Sequence, residues 1–190
     1  MSIRQVERAA RKVQTEPDQR FLELEKMGRN AQVRGYYTKD EFLKICHWKS
    51  TRSIGLCSQN TAYQVKQSTN AIFAETDDRA KIMSLLKLRG VAVPTASAIL
   101  AVTNPSSFGV IDIRAWQFLY DAGEVDRNKK GIGLSVNNWL AYLRILRSVA
   151  KTVGTSPRLV DIALFMAHKN TRQELSYDAE VCLLSDCLTI

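Results

Sequence analysis

The sixteen residues that decide the fold read Leu85-Leu-Lys-Leu-Arg-Gly-Val-Ala-Val-Pro-Thr-Ala-Ser-Ala-Ile-Leu100. Helical periodicity runs through Leu88, and we predict that the helix stops at Gly90 because glycine readily adopts the positive φ that ends a helix. Pro94 then suits the first turn of a second helix, where its missing N–H costs nothing. The stretch therefore predicts a tight hairpin between two helices.

The turn of this hairpin is predicted to bind a phosphate. It leaves the backbone N–H groups of Ala92, Val93 and Thr95 free at a helix N-terminus, which attracts anions. Thr95 adds a hydroxyl, and Lys87 and Arg89 stand beside the turn. Such contacts would hold a DNA backbone without reading its sequence. The alternative is an ordinary helical hairpin inside a core.

Patterns outside the hairpin predict an all-helical chain, because apolar residues recur at helical spacing and alternating runs are short. The segments Ile3–Gln14 and Asp18–Ala31 have helical patterns, and Asp121–Gly133, which holds three glycines, predicts a loop. Further helix starts are predicted at residues suited to N-capping. These are Thr38 with Glu41, Asn60, Thr76, Ser135, and Ser156 before Pro157.

The composition predicts one main domain. Of 190 residues, 45% are hydrophobic, which is enough to form a core. We predict an N-terminal helical arm over residues 1–35, a main domain over 36–175 and a C-terminal tail over 176–190. The chain has no run of eighteen apolar residues and does not begin like a signal peptide. We therefore expect a location inside the cell, in the cytoplasm or nucleoid or in the nucleus, without membrane contact. We also expect a monomer.

The distribution of charge favours a polyanionic partner. The net charge is +8, and the segment from Arg127 to Arg158 holds seven basic residues and no acidic one. A second basic region runs from Arg79 to Arg89, just before the hairpin turn. Such clustering is typical of proteins that bind nucleic acid. A solvated helix face is the alternative interpretation.

Two motifs carry a resemblance to a known family. Leu88-x-Gly-Val-x-x-x-Thr-Ala, followed by Val110-Ile-Asp-Ile-Arg, resembles the helix-hairpin-helix DNA glycosylases, the superfamily of endonuclease III. The seventeen residues from Thr95 to Asp112 agree with the spacing in that family. The resemblance covers residues 54–120, about a third of the chain.

The resemblance implies a fold and a chemistry. The fold would be all-α and glycosylase-like, with roughly eight to ten helices in two lobes around a cleft. The hairpin would bind phosphate, with a monovalent cation at the carbonyls of Leu88 and Gly90. Asp112 would stabilise the positive charge that builds on the sugar as the base leaves, or would activate water. The nucleotide must be extruded from the duplex to reach it.

Asp112 also has a structural interpretation. It directly precedes the segment Ile113–Tyr120, where it suits the N-cap of a helix. The two roles can coexist, because a cap at the start of that helix can also face a cleft.

The chain departs from the family pattern in several places. Pro94 stands where bifunctional members have a lysine, so we expect a monofunctional enzyme with water as nucleophile and no lyase activity at abasic sites. Ala92 replaces the usual last glycine of the hairpin. The residues before 54 do not match, which leaves the base pocket unassigned. The cysteines match no standard zinc or iron–sulfur spacing, so we predict neither metal; they are Cys46, Cys57, Cys182 and Cys187.

The predicted function is that of a double-stranded DNA-binding protein that hydrolyses the N-glycosidic bond of a damaged or mispaired base in base excision repair. Lys49 and Arg52 are further candidate DNA contacts, because their segment could line a base pocket or contact phosphates. The alternative is a helix end with Trp48 packed in the core. Asp161 lies in an apolar helix and needs a partner, for which we expect a helix N-terminus or an arginine such as Arg114. The alternative function is a non-catalytic helix-hairpin-helix DNA-binding module.

Overall fold

The computed structural model describes residues 3–12 and 19–169, and these fold into helices joined by turns and loops, with no strand among them. This confirms the all-helical prediction. None of the described helices is long and apolar enough to cross a membrane. The helices are α1 (Ile3–Lys12), α2 (Gln19–Arg34), α3 (Lys39–Lys49), α4 (Ile54–Cys57), α5 (Ala62–Ala74), α6 (Asp78–Leu85), α7 (Val93–Thr103), α8 (Ile113–Asp121), α9 (Val136–Val153) and α10 (157–169).

Four predicted helix caps are present, and the fourth, Asp112, belongs to the candidate site. Thr38 and Ser135 begin α3 and α9 with reciprocal capping boxes. The hydroxyl of Ser156 accepts a hydrogen bond from the N–H of Leu159 at the start of α10. The loop predicted after α8 is also confirmed, since no helix occurs between residues 122 and 135. The tail predicted over 176–190 lies outside the described residues, and the domain division stays a prediction.

The caps predicted at Asn60 and Thr76 are wrong by one residue. Thr61 caps α5 and Asp77 caps α6. Asn60 is buried, and its side chain is used elsewhere: the amide nitrogen donates to the carbonyl of Arg89 at 2.9 Å and the amide oxygen accepts from the N–H of Arg89 at 2.9 Å. Asn60 therefore holds the turn of the hairpin from the start of α5.

The hairpin turn, residues 86–92, connects α6 to α7 as predicted, but α6 ends earlier than expected. The helix stops at Leu85 rather than Leu88, because the chain tightens so that the N–H of Leu88 donates to the carbonyl of Leu85 at 3.1 Å. Gly90 has the predicted positive φ, +75°, but it lies within the turn and does not end α6, whose C-cap is Leu86. A side chain there would also meet the backbone of Cys57 at 2.8 Å, so the turn packs directly on α4.

The second hairpin helix, α7, forms the centre of the core. Nearly all of its residues are buried, as expected for a helix that is apolar on every side. Helices α2, α3, α6 and α9 pack around it. Gly28 of α2 lies so close that an added Cβ would stand 2.1 Å from the carbonyl oxygen of Val102. Since α7 begins at the hairpin turn, this packing holds the turn in place.

Candidate functional site

A cavity of about 420 Å³ lies between the hairpin turn, the end of α3 and the start of α8. Its volume falls in the range of about 300–1,000 Å³ that is common for small-molecule sites. The cavity brings together residues that are far apart in sequence. The predicted site residues among its lining are Lys49, Arg52, Gly90, Ala92, Thr95 and Asp112.

Three predicted DNA contacts do not line this cavity. The side chain of Val93 is buried in the core, with 6% of its surface exposed. Lys87 and Arg89 are exposed on the hairpin turn, and the guanidinium of Arg89 donates to the side chain of Gln59 at 2.9 Å. They stay predictions as contacts to a phosphate outside the cavity.

The start of α7 supplies hydrogen-bond donors to the cavity. Ala92 is the N-cap residue, and its methyl group cannot accept a hydrogen bond from the N–H groups of the first turn. The first backbone hydrogen bond of the helix runs from the N–H of Ala96 to the carbonyl of Ala92 at 2.9 Å. The N–H groups of Val93 and Thr95 therefore have no acceptor within the helix. The hydroxyl of Thr95 makes no hydrogen bond with any described residue. The positive end of the helix dipole adds attraction for an anion.

Asp112 is both the N-cap of α8 and a wall of the cavity. Its Oδ1 accepts a hydrogen bond from the N–H of Ala115 at 2.8 Å, which confirms the predicted cap. Its Oδ2 makes no hydrogen bond with a residue in the described part of the chain. One carboxylate oxygen thus orients the side chain, and the other is free for a ligand.

A second cavity of about 390 Å³ shares Lys49, Asp112 and Phe165 with the first. Its lining includes Asp161, which is buried and bonded on both oxygens: Oδ2 accepts from the N–H of Val110 at 2.6 Å and Oδ1 from the guanidinium of Arg158 at 2.5 Å. Burial raises the pKa of Asp161 to about 6, although Arg158 and the N–H of Val110 act to lower it.

The prediction that an arginine pairs with Asp161 is confirmed, but the arginine is Arg158 and not Arg114. Arg114 does not reach it, because its guanidinium lies over the ring of Phe165, 5.1 Å from the centroid. Arg158 stands three residues before Asp161 on α10, within easy reach on the same helix face. That spacing is visible in the sequence and could have identified the pair. No comparable signal identifies Phe165 as a residue of the cavity.

Arg158 also explains the position of Trp48 at the end of α3. Its guanidinium lies 4.4 Å from the ring centroid of Phe21 and 5.6 Å from that of Trp48. Trp48 packs on Phe21 as well, with 5.6 Å between the ring centroids. Trp48, the residue before the last of α3, therefore packs against the core. The next residue, Lys49, lines both cavities.

Lys49 lines both cavities and forms no hydrogen bond or ion pair with a described residue. Burial lowers the pKa of its ammonium group, while the carboxylates of Asp112 and Asp161 act to raise it. Lys49 was predicted to line a base pocket or to contact phosphates of DNA. In the structure it lines both cavities together with Asp112, the carboxylate that was predicted to be catalytic.

No family model, curated protein or solved structure matches this chain. The function is therefore inferred from the chemistry of the cavity.

The described residues offer limited means of holding a metal. They contain no group of three or more histidine, cysteine or acidic side chains that could bind one. Cys46 and Cys57 are buried and free, and Cys182 and Cys187 lie outside the described residues. At the hairpin, the carbonyl of Leu88 accepts from the N–H of Val91 at 3.2 Å and keeps one lone pair for a cation. The monovalent cation stays a prediction.

Replacement of Lys49 with methionine should stabilise the protein near neutral pH. Because the folded state lowers the pKa of Lys49 from 10.5, burying the charged form costs stability that is regained as pH rises from the lowered pKa towards 10.5. Methionine keeps the packing without the charge. The midpoint of thermal unfolding at pH 7 should rise by about 2–4 °C, which corresponds to about 1 kcal/mol in a protein of this size.

The exposed Lys44 on the same helix provides the control, because Lys44→Met should leave the midpoint nearly unchanged. A lower midpoint for Lys49→Met would contradict the expectation. It would show that attraction to Asp112 and Asp161 outweighs the loss of hydration.

Proposed function

We propose that this protein binds double-stranded DNA through its hairpin turn and hydrolyses the N-glycosidic bond of a base extruded into the cavity. The observation that carries the proposal is the composition of the cavity. The N-terminus of α7, which suits a phosphate, and Asp112, which suits a developing positive charge, face the same space. A phosphate bound at the first would place the adjoining nucleotide near the second.

Electrostatics of the cavity also support a nucleotide ligand. Three cationic side chains, Lys49, Arg52 and Arg114, line it, against the single carboxylate of Asp112. A ligand with negative phosphates would be attracted to the rim, and its cationic transition state would be stabilised at the carboxylate. The ring of Phe165 supplies an apolar surface on which a base could stack.

The reaction would be a hydrolysis. The bond between C1′ and the base nitrogen breaks, and the base leaves with the electron pair while positive charge develops on the sugar. Asp112 stabilises that charge through its free Oδ2, and water adds its oxygen to C1′. The proton that the water loses passes to Asp112 or to solvent, and the departing base takes up a proton. The products are the free base and an abasic sugar in an intact strand.

A second candidate function is a non-catalytic DNA-binding module. It is favoured by the hydrogen bond between Asp112 and Ala115, since this bond alone gives the carboxylate a structural purpose. Such a module would use the hairpin turn and leave the cavity without chemistry.

A panel of duplexes, each with one damaged or mispaired base, tests the proposal. After incubation, at least one duplex should be cut by alkali at the modified position but stay intact without alkali, because hydrolysis leaves an abasic site in an unbroken strand. Borohydride should trap no covalent adduct. Binding to the same duplexes should weaken steeply with salt, as phosphate contacts release counterions.

The outcomes separate the alternatives. Salt-dependent binding without base release from any duplex would favour the non-catalytic module. A borohydride adduct would show that an amine, with Lys49 the first candidate, replaces water as the nucleophile. Binding that is absent or insensitive to salt would overturn the DNA-binding function itself.

A further inference from the structure

A basic loop, residues 127–133, follows α8 in the chain and was not among the candidate DNA contacts. Its cations Arg127, Lys129 and Lys130 are all exposed, and none pairs with an acidic group of the described residues. Asp126, just before the loop, offsets part of the charge. The loop thus presents three exposed cations within four consecutive residues, and neither the cavity nor the hairpin turn includes them.

The loop is held in one conformation by side chains of α8 and by its own residues. The indole N–H of Trp116 donates to the carbonyl of Asn128 at 2.9 Å, and the amide of Gln117 donates to the carbonyl of Lys130 at 3.1 Å. The side chain of Asn128 donates to the carbonyl of Ile132 at 2.9 Å. A loop that is already ordered loses less entropy when its cations bind a ligand.

The loop lies next to the cavity. Gly131 is buried, and a Cβ added to it would stand 3.2 Å from the carbonyl oxygen of Ile113. Ile113 itself lines the cavity beside Asp112. The basic loop therefore flanks the cavity on the α8 side, whereas the hairpin turn flanks it at the start of α7.

We infer that the basic loop is a second phosphate-binding element, which holds the DNA backbone on the α8 side of the cavity while the hairpin turn holds it on the α7 side. The inference rests on the proposed function. Two separate contacts to the backbone beside the cavity would resist the return of the extruded nucleotide to the duplex. Lysine and arginine suit this purpose because their contacts to phosphates increase affinity and fix the position of the protein on the duplex, without a preference for base sequence.

The test compares the salt dependence of duplex binding in two matched triple variants. One is Arg127→Gln, Lys129→Gln, Lys130→Gln. The control is Arg4→Gln, Arg8→Gln, Arg11→Gln, which removes three exposed charges from α1, a helix that lines neither cavity. Each lost phosphate contact lowers the slope of log K against log salt by about 0.9, so the loop variant should lose about 2–3. The control should lose less than about 1, because distant charges are screened.

Hydrogen exchange in the wild-type protein gives a second measurement that needs no variant. Amides of residues 128–132 should exchange more slowly when a duplex is bound. An unchanged slope in the loop variant, an equal loss in the control, or exchange at the loop that DNA does not alter would each overturn the inference. The absence of salt-dependent binding in the wild-type protein would instead reject the proposed function on which it rests.

Discussion

Asp112→Asn should slow base release by at least about 100-fold, the effect typical of removing one group that stabilises transition-state charge. Asparagine is as good an N-cap as aspartate, so the bond to the N–H of Ala115 should persist and α8 should keep its start. The substitution replaces the second carboxylate oxygen, Oδ2, with an amide nitrogen and removes the negative charge. Duplex binding should therefore remain close to that of the wild-type protein, and release should be measured by alkaline cleavage of the substrate found in the panel.

Asp112→Ala separates the two roles of this residue. Alanine removes both the charge and the cap, so it should lose base release and also about 1 kcal/mol of stability. Full activity of Asp112→Asn would reject the catalytic role. A loss of folding or of duplex binding in Asp112→Asn would mean that the carboxylate acts as a structural group.

Gly28→Ala should destabilise the fold by about 3 kcal/mol or more, at the upper end of the cost of overpacking a core. The added methyl group would stand 2.1 Å from the carbonyl oxygen of Val102, which is backbone and cannot move aside as a side chain could. Either α2 or α7 must shift. Denaturant unfolding should show a lower midpoint, and duplex binding should weaken as well, because α7 begins at the hairpin turn.

Gly55→Ala is the matched control, since an added Cβ there has nothing within 4 Å. Alanine lowers the entropy of the unfolded chain at such a position, so the variant should be as stable as the wild-type protein or more stable by up to about 1 kcal/mol. If Gly28→Ala were equally well tolerated, the close packing of α2 on α7 would be wrong.

Local interactions explain why much of the fold could be predicted. The boxes at Thr38 and Ser135, the positive φ of Gly90 and the cap at Asp112 involve residues within a few positions of one another. A prediction failed where a distant residue competed for the same side chain. Asn60 could cap a helix, but its side chain is hydrogen-bonded to the backbone of Arg89 in the hairpin turn instead.

In the candidate site, too, some features could be predicted from the sequence, whereas contacts between distant segments could not. The family resemblance implied that Gly90, Thr95 and Asp112 belong to one site, and all three line one cavity. Neither spacing nor the resemblance could show that Lys49 lines the same cavity as Asp112, because α3 and α8 are far apart in the chain. They could not show the basic loop beside Ile113 either, because that approach depends on the fold of the loop against α8.

The sequence by itself determined that the chain is helical, where several helices begin, and that a tight turn with a free helix N-terminus lies between two of them. These features depend on backbone preferences and on side chains that bond to their own neighbours. Only the tertiary structure decided which groups share a cavity. It also decided that Asp161 is paired with Arg158, whereas Asp112 keeps one oxygen without a hydrogen bond to a described residue. Those outcomes depend on burial and on distances between helices, and packing of the whole core sets both.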